Sequence, residues 1–220
     1  WSRSSPPAPA AGPAATEGVP PAWAAWCRAW AARDAHFAPK TRRAALYALS
    51  TAPQGLRITG FGVPTPQERK HDFLWRIRRA LPDPGYIGVF NRSHYEDVLV
   101  ARVHKIVPEE VWRQRYEVIN AFERGLVEDG VTILKVMLHI SPEEQLERLR
   151  ARLTDPTKRW KFNPGDLDER GRWAEYQAAY RDALANCSTG LAPWFVVPAD
   201  RKWYRDWAVA RLLQETLESL

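Results

Sequence analysis

The chain has 220 residues, 45% of them apolar and 11 of them tryptophan, which excludes a wholly disordered polymer and allows one domain with a substantial core plus an appendage. A net charge of +6 and a pI of about 9.5 favour an anionic partner without choosing among nucleotide, nucleic acid, polyphosphate and acidic lipid. Two cysteines, Cys27 and Cys187, are too few for a disulfide framework. No apolar run approaches the ~18–20 residues of a membrane span, and no signal-peptide order opens the chain, so the expectation is a reduced, cytoplasmic protein with no membrane partner.

Residues 1–43 differ from the rest. Half of positions 1–40 are Ala or Pro, and Pro6, Pro7, Pro9, Pro13, Pro20 and Pro21 forbid a continuous helix. Only 21–32 can form a short helix, with Trp23, Trp26 and Trp30 at spacings of 3 and 4. The composition predicts a disordered tail, with 1–20 unstructured. An Ala-Pro-Arg-Trp mixture also resembles GC-rich DNA translated out of frame. A chain that opens on Trp1 rather than Met reads as a fragment, a processed form or an unusual gene product.

From residue 44 the pattern is globular. Residues 56–62 read as a strand ending in Gly and Pro, and 66–80 as a helix with Phe73, Ile77 and Ala80 on one face. Residues 86–91 are a short apolar run after Pro84-Gly85, hence a buried strand. A helix over 108–128 carries Val111, Val118, Phe122 and Leu126 along one stripe, and 132–140 is a strong strand. Ser141, Pro142 and Glu144 then form a capping box, opening a helix with Leu146, Leu149 and Leu153 inward. Residues 166–169 repeat the box ahead of Trp173, Tyr176, Tyr180 and Leu184. Residues 194–198 are a last strand and 203–220 a closing helix. Strands alternating with helices predict one parallel α/β sheet.

The segment Asn91-Arg92-Ser93 falls at the carboxyl end of a buried strand, where open parallel sheets bind ligands. Arg92 can fork two phosphate oxygens. Asn91 and Ser93 can hold a metal-bound water or a phosphate, and Glu96 and Asp97 can balance a cation. By spacing alone, ordinary loop capping explains these residues as well.

The order of motifs carries more. Phe90-Asn91-Arg92-Ser93-His94-Tyr95-Glu96-Asp97-Val98-Leu99-Val100 resembles the Walker B-like segment of the polyphosphate kinase 2 family, and His71-Asp72-Phe73-Leu74-Trp75-Arg76 is similar to its HDFLWR segment. Lys158-Arg159-Trp160-Lys161-Phe162, with Asp166-Leu167 and Arg170-Gly171-Arg172-Trp173, resembles its lid. Ala192-Pro193-Trp194 and Pro198-Ala199-Asp200-Arg201-Lys202-Trp203-Tyr204 are similar to its last strand and turn. The resemblance covers 44–220. It implies a P-loop-type, thymidylate kinase-like parallel sheet with a helical lid over about 148–173, and phosphoryl transfer between inorganic polyphosphate and a nucleoside mono- or diphosphate with Mg²⁺. It also implies a homo-oligomer.

On that resemblance Arg92, Asn91 and Glu96 are the catalytic candidates, with Asn91 and Glu96 near the metal through water. Arg92, Ser93, Arg102, Lys158, Arg159 and Lys161 are the phosphate and polyphosphate ligands, with Arg92 and Arg102 expected to face the three lid cations across a cleft. Eight Lys or Arg against four Asp or Glu over 148–172 suit a track for a polyanion, although a solvated helical face has the same composition.

One part of the pattern is missing. Phosphoryl transfer needs a cradle of backbone N–H groups and a lysine on the transferred phosphate, yet the sequence holds no Gly-Lys dipeptide and hence no G-x-x-x-x-G-K. The expected place is just before 44–50, where Lys40, Thr41, Arg42 and Arg43 stand, and the nearest glycines are Gly18 and Gly55. The first strand, which lies inside the sheet in thymidylate kinase-like folds, is absent with it. These features predict an impaired copy of a polyphosphate-dependent nucleotide kinase. The alternative is a non-catalytic relative or subunit that binds polyphosphate. An ATP-dependent nucleoside monophosphate kinase is disfavoured by the basic lid. A nucleic-acid-binding domain has charge alone in its favour and no recognised motif, so no specific nucleic acid is expected.

Overall fold

The computed structural model describes residues 55–220. The expected tail 1–43, the short helix expected over 21–32 and the segment 44–50 lie outside the described residues. The chain divides into two units, one of Gln54–Leu213 and a second that includes Gln214–Leu220. Of the second unit, only the end of the last helix is described.

Among the described residues four short parallel strands form: β1 (Leu56–Gly60), β2 (Ile87–Asn91), β3 (Lys135–His139) and β4 (Trp194–Pro198). Their helical connections are α1 (Trp75–Ala80), α2 (Val100–Val103), α3 (Glu109–Glu128), α4 (Pro142–Thr154), α5 (Gly165–Gly171) and α6 (Trp173–Cys187), and α7 (Lys202–Glu218) closes the chain. Short 3₁₀ turns lie at Glu68–Lys70, His94–Asp97 and Arg159–Lys161. Strand–helix–strand connections with parallel pairing give the α/β class anticipated from the sequence.

Among the described residues the strands do not join into the expected single sheet. β1 pairs with β2, from Leu56 opposite Ile87 to Gly60 opposite Asn91, and β3 pairs with β4, from Lys135 opposite Trp194 to His139 opposite Pro198. These are two separate two-stranded sheets, so 86–90 and 132–140 do not share a ladder. Neighbouring strands must lie about 4.8 Å apart to bond, and the strand expected inside the sheet is not among the described residues. The faces are open too. Ile58 is 37% exposed, Leu138 45% and Val196 51%, whereas a parallel sheet ordinarily has both faces covered.

The core gathers around α3 and α6. Tyr95, Val98, Leu99 and Val103 from the segment after β2 pack with Trp112, Tyr116 and Ile119 of α3 and with Ala179, Ala183 and Cys187 of α6. The small residues of α6 permit close approach to α3. The expected α3 stripe is corrected here: Val111 and Val118 are exposed, and the buried row is Trp112, Tyr116, Ile119 and Glu123. That row has helical spacing, but its fourth member is a carboxylate, so an apolar pattern alone points to the neighbouring face.

Local chemistry sets the boundaries. The helix expected over 66–80 is broken, because Asp72 accepts from Leu74 N–H at 2.9 Å (side chain) and from Trp75 N–H at 3.0 Å (carbonyl), starting α1 afresh. Ser141 Oγ accepts from Glu144 N–H at 3.1 Å, which is half of the predicted capping box. The other half is not made, since Ser141 N–H donates to Asp200 Oδ1 at 2.8 Å and the Glu144 carboxylate pairs with Arg148 at 2.7 Å. Leu149 is buried as expected, but Leu153 is exposed.

Candidate active site

β2 ends in Asn91, whose carbonyl accepts from Phe61 N–H at 3.0 Å. The next residue, Arg92, has φ of 65°, a left-handed conformation that a non-glycine residue adopts at a cost and that recurs at functional turns. The turn throws the Arg92 side chain outward. It is 60% exposed, and its nearest ionic partner is Glu96, at a loose 3.8 Å. Ser93 caps the following 3₁₀ turn by accepting from Tyr95 N–H at 3.4 Å. The cap presents Glu96 and Asp97 behind Arg92.

The two acids differ in surroundings. Burial pushes the Glu96 carboxyl above its ordinary range, against the pull of Arg92. Asp97 is also raised by burial, against Arg115 and Arg76, and it sits 3.3 Å from Arg115 and 4.0 Å from Arg76. Arg115 also donates to the Asp97 carbonyl at 2.8 Å, so Asp97 anchors the turn, leaving Glu96 as the carboxylate short of partners.

No group of three or more His, Cys, Asp or Glu side chains able to hold a metal occurs among the described residues. Mg²⁺ needs no such cage, because it keeps several waters and takes one or two carboxylates together with substrate phosphates. An under-partnered Glu96 beside the exposed end of β2 at Asn91 fits that donor set.

The other expected ligands are placed differently. Arg102 is held by Asp182 at 2.6 Å and lies over the Trp112 ring at 4.4 Å, which ties α2 to α6. Among the described residues no ion pair or hydrogen bond joins Arg92 or Arg102 to the lid. Within the lid, Lys158 is paired with Asp155 at 2.6 Å, and the Asp155 carboxyl is drawn down to about 2 by that bond and by Thr157. Arg159 donates to the Leu153 carbonyl at 3.2 Å, and Lys161 lies over the exposed Trp160 ring at 4.9 Å.

Most of the remaining lid cations work inside the fold. Arg152 is bonded to Asp166, Arg170 donates to the Pro142 carbonyl at 2.8 Å and Arg172 to the Val103 carbonyl at 3.0 Å. Of the three expected lid ligands, Arg159 and Lys161 meet no carboxylate, and the Lys161 ammonium makes no hydrogen bond among the described residues.

A buried polar network escaped the sequence reading. Lys135, at the start of β3, donates to Glu123 Oε2 at 2.5 Å, to the Tyr95 hydroxyl at 3.0 Å and to the Cys187 carbonyl at 2.7 Å. Tyr95 donates to Glu123 Oε1 at 2.8 Å, and His94 Nε2 lies 3.3 Å from the same oxygen. Burial raises the Glu123 carboxyl, but the bonds from His94, Lys135 and Tyr95 outweigh it and hold the group below its ordinary range. The available signal was a lysine inside an apolar strand run and a glutamate in register with a core row.

Residues 44–220 match the polyphosphate kinase 2 family. The chain is 54% identical over 168 residues to the AMP/ADP-polyphosphate phosphotransferase of Meiothermus ruber, covering 76% of this chain and 63% of that protein. It is 43% identical over 180 residues to the ADP-polyphosphate phosphotransferase of Rhodopseudomonas palustris, with coverages of 76% and 62%. The crystal structure of polyphosphate kinase 2 from Arthrobacter aurescens TC1 superposes with a TM-score of 0.77 at 49% identity, over 80% of this chain and 62% of that one. The chain therefore spans less than two thirds of these relatives. With a shared fold, ordered motifs and identities of this size, the chain belongs to the polyphosphate kinase 2 family.

Proposed function

We propose that this chain derives from a phosphotransferase acting between inorganic polyphosphate and a nucleoside mono- or diphosphate, and that the 220 residues as they stand bind polyphosphate with negligible turnover. The observation that carries the reading is the end of β2. A strained turn holds the Arg92 guanidinium in solvent with only a loose partner, next to Glu96. A bidentate donor at the carboxyl end of a parallel strand suits a phosphate group that gathers charge during transfer.

In this reading Arg92 and Ser93 hold the phosphate, Lys158, Arg159 and Lys161 track the chain beyond it, and Asn91 and Glu96 hold Mg²⁺ through water. The ion, when bound, neutralises charge on the phosphate oxygens. Arg102 acts by positioning: its bond to Asp182 braces α6, the helix that follows the lid, against α2.

The absent Gly-Lys loop is what argues for lost turnover. The backbone cradle and its lysine act where charge develops, and the nearest lysine upstream, Lys40, follows Pro39 with no glycine between Gly18 and Gly55. The test is phosphorylation of ADP and AMP from polyphosphate by the purified chain with Mg²⁺, beside polyphosphate binding measured separately. Binding without phosphorylation is expected. Turnover of about 1 s⁻¹ or faster, as in working kinases, would overturn the impairment, and absent polyphosphate binding would overturn the site. A non-catalytic polyphosphate-binding subunit is favoured by the same missing loop, and it predicts that adding a family-like strand and Gly-rich loop before Ala44 restores nothing.

A further inference from the structure

The turn after β4 carries a second feature that the phosphate site does not use. Ala199 N–H donates to the His139 carbonyl at 2.7 Å, Ser141 N–H donates to Asp200, and Arg148 donates to the Ala199 carbonyl at 2.6 Å. These bonds lock the loop between β4 and α7 against the start of α4. Between them lies a cleft of about 350 Å³ lined by His139, Ser141, Pro198, Asp200, Arg201, Trp203 and Tyr204. It opens beyond the carboxyl ends of β3 and β4, on the side of a parallel sheet where ligands gather.

Two properties define what the cleft can hold. The Trp203 ring is 65% exposed and meets Tyr204 edge-on, with centroids 5.8 Å apart at 88°. A large aromatic surface is thus presented to solvent at a cleft wall. Arg201 also lines the cleft and Lys202 follows it in the chain, and neither has an ion-pair partner among the described residues. The Lys202 ammonium is pushed below its ordinary range by burial and by Arg148, Lys158 and Arg205 nearby, with Glu144 opposing. Excess positive charge next to an unstacked indole calls for a planar ring bearing phosphate. Polyphosphate alone has no use for the indole, and Asp200 would repel it. A nucleoside offers amino or hydroxyl donors to that carboxylate.

We propose that this cleft receives the base and ribose of a nucleotide, with the ring stacked on Trp203, Asp200 accepting from the sugar or the exocyclic amine, and the phosphate directed to Arg201 and Lys202. The proposal deepens the nucleotide-kinase reading and rests on it for the class of ligand. Lys158 of the lid is near enough to help depress the Lys202 ammonium.

The test is calorimetric titration of the full chain with AMP, with ribose 5-phosphate and with pyrophosphate, none of which needs turnover. Trp203→Ala is expected to weaken AMP binding about tenfold or more, in the range of a lost base stack, while ribose 5-phosphate and pyrophosphate binding stay unchanged and Trp203→Phe restores most of the loss. Lys202→Gln should weaken all three. Trp203 is exposed, so the variant should keep the parent's circular dichroism. Lys202→Gln supplies a second reading should it not. AMP binding that is indifferent to Trp203→Ala overturns the cleft while leaving the nucleotide reading intact. Pyrophosphate binding without AMP binding overturns both.

Discussion

Replacing Lys135 by methionine would leave Glu123 as a buried carboxylate with its ionic partner gone. Lys135 is 7% exposed and Glu123 2%, so neither gains solvent as compensation. Breaking one side of such a pair costs about 3–5 kcal/mol, a large share of the ~5–15 kcal/mol that holds a domain folded. With a urea slope of about 2 kcal/mol/M, the midpoint should fall by ~1.5–2.5 M. The double variant Lys135→Met with Glu123→Gln should recover about half of that, because a neutral amide needs no counter-charge and can still accept from Tyr95. The pH dependence adds a sign. Glu123 lies below its ordinary value of 4.5 in the folded chain, so it contributes stability that is full above that value and is lost as pH falls through the folded value. In the single variant the carboxyl rises, and acid unfolding should begin at higher pH. Urea melts of parent, single and double variants between pH 4 and 8 measure both effects. A midpoint shift in Lys135→Met no larger than that of a surface substitution, about 0.5 kcal/mol, would refute the claim that this network supports the core.

Three further outcomes are expected. In a chain repaired with a Gly-rich loop and showing turnover, Arg92→Ala should lower the rate by about 10²-fold, as for other transition-state donors, and full activity would remove Arg92 from the site. Asp155→Asn should free Lys158 and raise polyphosphate affinity a few-fold at low salt, with the gain shrinking as ionic strength rises. Because the Asp155 carboxyl sits at about 2, acidification to pH 4 should not mimic the substitution, and filter binding across pH tests both statements. Arg102→Ala should destabilise the chain by about 1–2 kcal/mol through loss of a charged hydrogen bond, with polyphosphate affinity little changed. A selective loss of affinity without destabilisation would assign Arg102 to the ligand instead.

The strands were legible because each is an apolar run framed by Gly or Pro, as at Gly85 before β2 and Pro193 before β4. Asn91-Arg92-Ser93 could be placed at a strand end for the same reason. The face of α3 could not, since Glu123 belongs to the buried row and only its bonds to Lys135 and Tyr95 explain a carboxylate there. The lid shows a different limit. Sequence counts charges but not their partners, and Arg152, Arg170 and Arg172 turn out to bind Asp166 and backbone carbonyls rather than stand free. The division into two sheets was hidden because strand pairing is a long-range property, settled by which backbones can lie side by side.

The two separate ladders also set how fast backbone amides trade hydrogen with water. Along a strand, successive N–H groups point to opposite edges. Ile87 N–H bonds to the Gly55 carbonyl and the His139 carbonyl accepts from Ala199, so Gly88 and Phe90 of β2, with Val136 and Leu138 of β3, direct their N–H groups to edges with no described strand. An alternating pattern should result, with Ile87, Val89 and Met137 slow and their immediate neighbours fast. A strand entering between β2 and β3, whether supplied by chain repair or by a separate peptide, would slow those four amides together. Deuterium uptake at Gly88, Phe90, Val136 and Leu138 would therefore report sheet completion residue by residue, before any catalysis is regained.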